Sequence, residues 1–193
     1  MRHLAGRFFG ALVPVGPRRA DEDWAQENLL PGERPLWRRM SGADRRHAVG
    51  VARRTVAELQ TSAGGTVADR DVVAAALLHD VGKIEAGLGT WARAGVTFAA
   101  MATGRDHLLS WSGAADMQPA AQAGQAARAG SRRASWRQRI GLYLSHDRVG
   151  AELLSEAGSD PLTIHWAADH HKPPERWSVD ARLGAALKVA DDD

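Results

Sequence analysis

The stretch Val72-Val73-Ala74-Ala75-Ala76-Leu77-Leu78-His79-Asp80-Val81-Gly82-Lys83 decides how this chain folds. Its first seven residues are all apolar, and a helix without a polar face is one buried on every side. Asp69 supplies an N-cap, so the run predicts a central helix from Asp71 to about Gly82. His79 and Asp80 stand at its end, where a core should be apolar. A buried carboxylate without a partner is costly, so Asp80 needs a cation or strong donors around it.

Other helices assemble around this one. Upstream, Ser41 is a good N-cap, and Asp44 three residues on gives an approximate capping box. The following helix reads to about Thr61, with Ala48, Val51, Ala52, Val56 and Leu59 on one face, and Gly64-Gly65 stops it. Downstream, Gly87 to Thr103 predicts a weakly patterned third helix. Residues 112–135, rich in Ala, Gly, Gln and Arg, read as a mobile connection. Order resumes at Trp136 through Ile140, Leu142 and Leu144. A helix from Asp147 to about Ala157 ends at Gly158, and Asp160-Pro161 starts another to about His170. Pro173-Pro174 breaks that helix, and Ser178 caps a last one through Leu183, Ala186, Leu187 and Ala190. No segment alternates with period two. The expected fold class is all-α, with residues 1–40 as an arm and leading helix packed on a domain of residues 41–193, and an insertion at about 88–140.

Composition narrows the function. The 193 residues suit one domain, and 25 Lys and Arg against 23 Asp and Glu leave a net charge of +2, which indicates no nucleic-acid partner. Cysteine is absent, excluding a disulfide framework, a thiol nucleophile and thiolate-bound zinc. Between Met1 and Arg19, arginines flank the apolar run Phe8 to Val13, which is too short for a secretory core or a membrane span. It reads as a terminus that docks on the domain, in a cytoplasmic protein with no transmembrane segment.

Any metal must therefore be held by nitrogen and oxygen. His47 lies in the first helix, His79-Asp80 end the central one, and His146 opens a third. His170-His171 and Asp191 close the last two. Imidazole and carboxylate without sulfur suit Fe, Mn, Ni, Co or Zn, and a carboxylate can bridge two cations. Two metals about 3.5–4 Å apart can bind a phosphate and generate hydroxide at neutral pH. Lys83 could add charge for a phosphate oxygen, and Arg46, beside His47, is a further candidate contact. The rest of the basic set (Arg38, Arg39, Arg45, Arg53, Arg54) reads as a solvated face. Trp166 and Trp177 flank the histidine pair and could stack a base. His165 falls on another helical face, and His3 and His107 receive no role.

The order His47, His79-Asp80, Asp191, with Leu-Leu-His-Asp-Val-Gly-Lys at 77–83, resembles the HD-domain metal-dependent phosphohydrolase superfamily over about Ser41 to Asp193. That resemblance implies an HD-domain helical bundle with a buried metal centre, its first ion on His47, His79, Asp80 and Asp191. His146-Asp147-Arg148-Val149-Gly150-Ala151-Glu152-Leu153-Leu154 and the pair His170-His171 resemble a narrower branch, the HD-GYP phosphodiesterases of cyclic di-GMP. The branch implies a second ion on His146, His170, His171 and the bridging Asp80, with Lys83 holding phosphate and helping to activate water. Two departures point away from cyclic di-GMP: no Gly-Tyr-Pro follows the histidine pair, and Ala43 stands where some members place a glutamate. The small bacterial HD hydrolases of diadenosine tetraphosphate, and short actinobacterial HD-domain proteins, are similar too.

The expected function is hydrolysis of a nucleotide-like phosphate ester, with Asp80 and Lys83 catalytic, two divalent ions as cofactors and a metal-bound hydroxide held near Asp80. Arg46 and Trp177 would contact substrate. The alternatives are a degenerate HD module acting as scaffold, and a di-iron HD-type oxygenase. Self-association into a homodimer is left open.

Overall fold

The structure is a computed structural model in which residues 16–61, 68–113 and 135–192 are described. Every regular element among them is helical, and none is a strand. The helices are α1 (Arg19–Glu27), α2 (Glu33–Arg39), α3 (Gly42–Thr61), α4 (Arg70–Leu78), α5 (Lys83–Ala86), α6 (Thr90–Thr103), α7 (Arg105–Ser112), α8 (Trp136–Leu144), α9 (His146–Glu156), α10 (Pro161–Asp169) and α11 (Ala181–Asp192), with a 3₁₀ turn at Pro174–Arg176.

α4 is the axis of the bundle, with Val72 to Leu78 all buried, as an apolar helix without a polar face requires. It packs between α3 and α10; α9 lies along α10, α11 along α3, and α8 against α5 and α7. The short α1 and α2 and the turn between them feed the same core through Ala25, Leu29, Leu36 and Trp37. Pro35 is tolerated in α2 because it sits in the first turn, where amide hydrogens have no helical acceptor. Arg53 fixes α1 to α3, its guanidinium 3.6 Å from the Trp24 ring centre and 3.6 Å from Asp21.

Several boundaries differ from the sequence expectation for local reasons. The central helix ends at Leu78, not near Gly82, because the chain tightens into successive i→i−3 bonds: Val81 to the Leu78 carbonyl at 3.0 Å and Lys83 to the Asp80 carbonyl at 3.1 Å. Gly82 permits this. A Cβ there would lie 2.0 Å from the His146 carbonyl oxygen and 2.6 Å from the Gly150 amide, so only glycine lets the turn press against α9. The last helix is capped by Asp180, whose carboxylate accepts from the Arg182 and Leu183 amides at 3.0 and 3.1 Å; Ser178 instead donates its amide to Asp169 at 2.5 Å. Asp69 and Asp160 sit at N-caps without side-chain cap bonds, and Asp160 pairs with Arg70. The third helix starts at Thr90, and Gly104, at φ 90°, divides it from α7, which had no periodic signal. Ser41 does cap α3, accepting from the Asp44 amide at 3.1 Å. A capping box between Ser135 and Gln138 starts α8. The docking terminus at 1–15, the stop at Gly64-Gly65 and nearly all of the segment read as mobile lie outside the described residues. No helix among those described is long and apolar enough to cross a membrane.

Candidate metal centre

Four chain segments deliver histidine to one place; His47 comes from within α3, and the other three do so at a helix end. His79 follows the last residue of α4, His170 the last of α10, and His146 begins α9 just past the end of α8. The final carbonyls of a helix lack intrahelical donors. Here the rings provide them: His79 Nδ1 lies 2.9 Å from the Ala76 oxygen, His146 Nδ1 2.7 Å from Tyr143, and His170 Nδ1 3.0 Å from Ala167. A carbonyl can only accept, so each Nδ1 carries the hydrogen. Each ring therefore turns its Nε2 inward, the orientation a metal-ligating histidine needs.

Asp80 stands between two sets of these nitrogens. Its Oδ1 lies 3.2 Å from His146 Nε2 and 3.8 Å from His170 Nε2. Oδ2 lies 3.5 Å from His79 Nε2 and 2.5 Å from Lys83 Nζ. His171 Nε2 completes one side, 3.1 Å from His146 Nε2. On the other, Asp191 Oδ1 is 3.1 Å from His47 Nε2 and 3.6 Å from His79 Nε2. All seven side chains singled out as ligand candidates thus converge, in two groups sharing Asp80. Asp192, the neighbour of Asp191, faces outward to Lys188 at 2.7 Å.

The donor set fits divalent cations on two observations. Nε2 of both His79 and His170 is buried without a hydrogen-bond partner, although buried polar atoms are normally paired. The spacing agrees as well, since two ligands each about 2.1 Å from one ion sit roughly 3.0 Å apart at a right angle and roughly 3.4 Å apart in a tetrahedron. Two groups, His47/His79/Asp80 and His146/His170/His171, can each hold an ion.

Charge is distributed unequally. Burial opposes protonation of His79, but Asp80 and Asp191 outweigh it and raise the imidazole to about 9. Burial opposes the Asp80 carboxylate too, yet Lys83 and His79 hold it well below the usual range. Asp191 behaves alike, held down against its burial by the hydrogen bond from His47 and by the nearby His79 imidazole. Lys83 is raised, Asp80 overcoming the cost of desolvation. His170, fully buried, is pushed well below its ordinary value, first by desolvation and then by neighbouring rings. His171 is lowered to about 4, first by desolvation of its ring and then by the His146 imidazole, although the residue as a whole is exposed at the rim.

A cleft of about 400 Å³ opens onto this centre. His47, Asp80, Lys83, His171 and Asp191 line it, together with Arg46, Gly50 and Arg54 from α3. Trp177 is not at the cleft: its indole packs on Trp166 and on Gly184, where a Cβ would lie 2.5 Å from the ring, and its Nε1 donates to the Lys172 carbonyl at 3.0 Å. Trp166 is buried behind His170. Among the described residues no tryptophan, tyrosine or phenylalanine lines the cleft, so a base-stacking role for that pair has no geometric basis.

Two contributors escaped the sequence reading. Buried Asp169 gathers Lys172 Nζ at 2.6 Å and the Ser178 amide, tying down the turn that carries His171. Its position beside the histidine pair was the available signal. Arg54, counted as part of a solvated face, reaches the cleft. Comparison of the chain with protein-family models, with curated proteins and with solved structures gives no match.

Proposed function

We propose that this chain is a metal-dependent phosphohydrolase or phosphodiesterase of HD-domain type, acting on a nucleotide-like phosphate ester. The observation that carries this reading is Asp80, which turns one carboxylate oxygen toward each of two histidine groups whose innermost nitrogens lack partners. His47, His79, Asp80 and Asp191 would hold one divalent ion; His146, His170, His171 and Asp80 would hold the other. When bound, such a pair supplies Lewis acidity toward phosphorus and acidifies water near neutral pH.

The chain's own groups do the rest. The bonds from Nδ1 to the Ala76, Tyr143 and Ala167 carbonyls keep three rings aimed inward. Asp191 orients His47. Lys83, beside Asp80 in the cleft, offers its ammonium to a phosphoryl oxygen that gains charge as the ester is attacked. Among the described residues no serine, threonine or cysteine lines the cleft, so no hydroxyl or thiol is placed to form a covalent intermediate.

Elemental analysis of tag-free protein, followed by phosphate-release assays on nucleoside monophosphates, phosphodiesters and dinucleoside polyphosphates, tests this. The expected outcome is close to two ions per chain and metal-dependent turnover. No metal after reconstitution would turn the assignment to a scaffold. Oxygen uptake with substrate oxidation by the iron form would turn it to an oxygenase.

A further inference from the structure

The six arginines around the first helices separate cleanly by what they touch. Arg39 pairs with Glu85 at 2.6 Å, Arg45 with Glu22 at 3.2 Å, and Arg53 covers Trp24. Arg38 is exposed, whereas Arg46 and Arg54 line the cleft. Residues 43, 46, 47, 50 and 54 recur at helical spacing, so one stripe of α3 runs along the cleft from Ala43 past His47 and Gly50 to Arg54.

Arg54 is built differently from a solvated side chain. Its Nε donates to the Ala190 carbonyl at 2.9 Å, one residue before Asp191, and this is its one hydrogen bond among the described residues. The guanidinium folds back over Gly50, where a Cβ would lie 3.2 Å from Nη1. A long helical side chain leans toward the helix N-terminus in this way, and the missing Cβ leaves it room. The fork is thus anchored at one nitrogen, while its two terminal nitrogens carry no carboxylate among the described residues. Elsewhere in the cleft charge is already matched: Asp44 holds Arg93 at 2.5 Å, and Asp80 holds Lys83 at 2.5 Å.

We infer that Arg54, seated over Gly50, is a second anion subsite: it binds a phosphate or carboxylate of the substrate other than the one that reacts. The group it takes lies about one helical turn, roughly 5 Å, along α3 from His47. A substrate of this kind carries two anionic groups separated by a spacer the size of a sugar, and its base or organic remainder is left unstacked. This rests on the phosphohydrolase reading for the reacting group, but the subsite itself is a matter of binding.

The test uses the metal-loaded full chain and two probes, adenosine 5′-monophosphate and adenosine 3′,5′-bisphosphate, with calorimetric binding and phosphate release measured separately. Arg54→Gln should weaken the bisphosphate by at least about tenfold, a charge-assisted forked pair being lost, and change the monophosphate by less than about twofold. Arg54→Lys should recover only part of the loss, since a point charge replaces a fork. Equal losses for both probes, no loss for either, or a wild-type protein that does not prefer the bisphosphate would overturn the subsite. Tight, Arg54-dependent binding without phosphate release in any metal would leave the subsite standing and remove the hydrolase reading instead.

Discussion

The two halves of the candidate centre share Asp80 yet handle charge in opposite ways. The His47/His79/Asp191 half brings in a carboxylate of its own and keeps His79 cationic to about 9. The His146/His170/His171 half has none, and its buried His170 stays neutral under the same desolvation. A proton thus stands in for a cation on His79 and is excluded from His170 and His171. Loading the first half must displace a proton from His79, whereas His170 and His171 already offer bare nitrogens near neutral pH.

The largest expected effect removes the difference altogether. Asp80→Ala takes the shared ligand from both halves and should abolish bound metal and turnover together, a loss of about a thousandfold or more by analogy with removal of other groups that act as a unit. Retention of either would break the comparison. Next come His79→Ala and His170→Ala, each of which should empty one half while the other keeps its ion; elemental analysis reads this directly. Loss of both ions from either variant would mean that the halves are one site. Gly82→Ala should act on both through the backbone, because its Cβ would collide with the His146 carbonyl. A destabilisation of about 1–3 kcal/mol in thermal unfolding is expected.

A pH profile of metal-free protein sharpens the contrast. His79 titrates near 9 when folded and 6.5 when unfolded, so the native state binds more protons across that window. Its contribution is complete below 6.5 and is lost as pH rises toward 9. His170 and His171 are depressed, so the unfolded chain binds more protons below 6.5, and stability falls as pH drops toward 4. Unfolding temperature should therefore peak near 6.5, and His79→Asn should flatten the alkaline limb alone. The smallest effect is expected from Asp169→Asn, which loosens the turn bearing His171 and should weaken metal in the second half by about tenfold.

How much of this was written legibly in the sequence depended on whether a residue's role was local. Val72 to Leu78 announced a buried helix because composition alone specifies it, and His79-Asp80 stood out because polar groups ended an apolar run. The chain order of the candidate ligands was likewise visible, whereas the sharing of Asp80 was implied by the family resemblance and not by that order. The turn at residues 79–82 could not be read from periodicity, since it is imposed by the approach of Gly82 to α9. Ser178 was the predicted cap of the last helix; Asp180, two residues on, caps it instead, while the Ser178 amide is held by Asp169. Arg54 was indistinguishable from Arg53 on paper; one faces Trp24 and the other the cleft, a difference of about 100° around α3.

The bonds by which His79, His146 and His170 close their own helix ends also bear on how ions would enter. Rings already immobilised by backbone carbonyls have surrendered their rotational freedom during folding, so ion capture need not order them again. The centre is in this sense a rigid socket rather than a clasp that forms around its contents. Asparagine, whose amide can replace Nδ1 but not Nε2, would leave such a socket standing while removing one of its contacts.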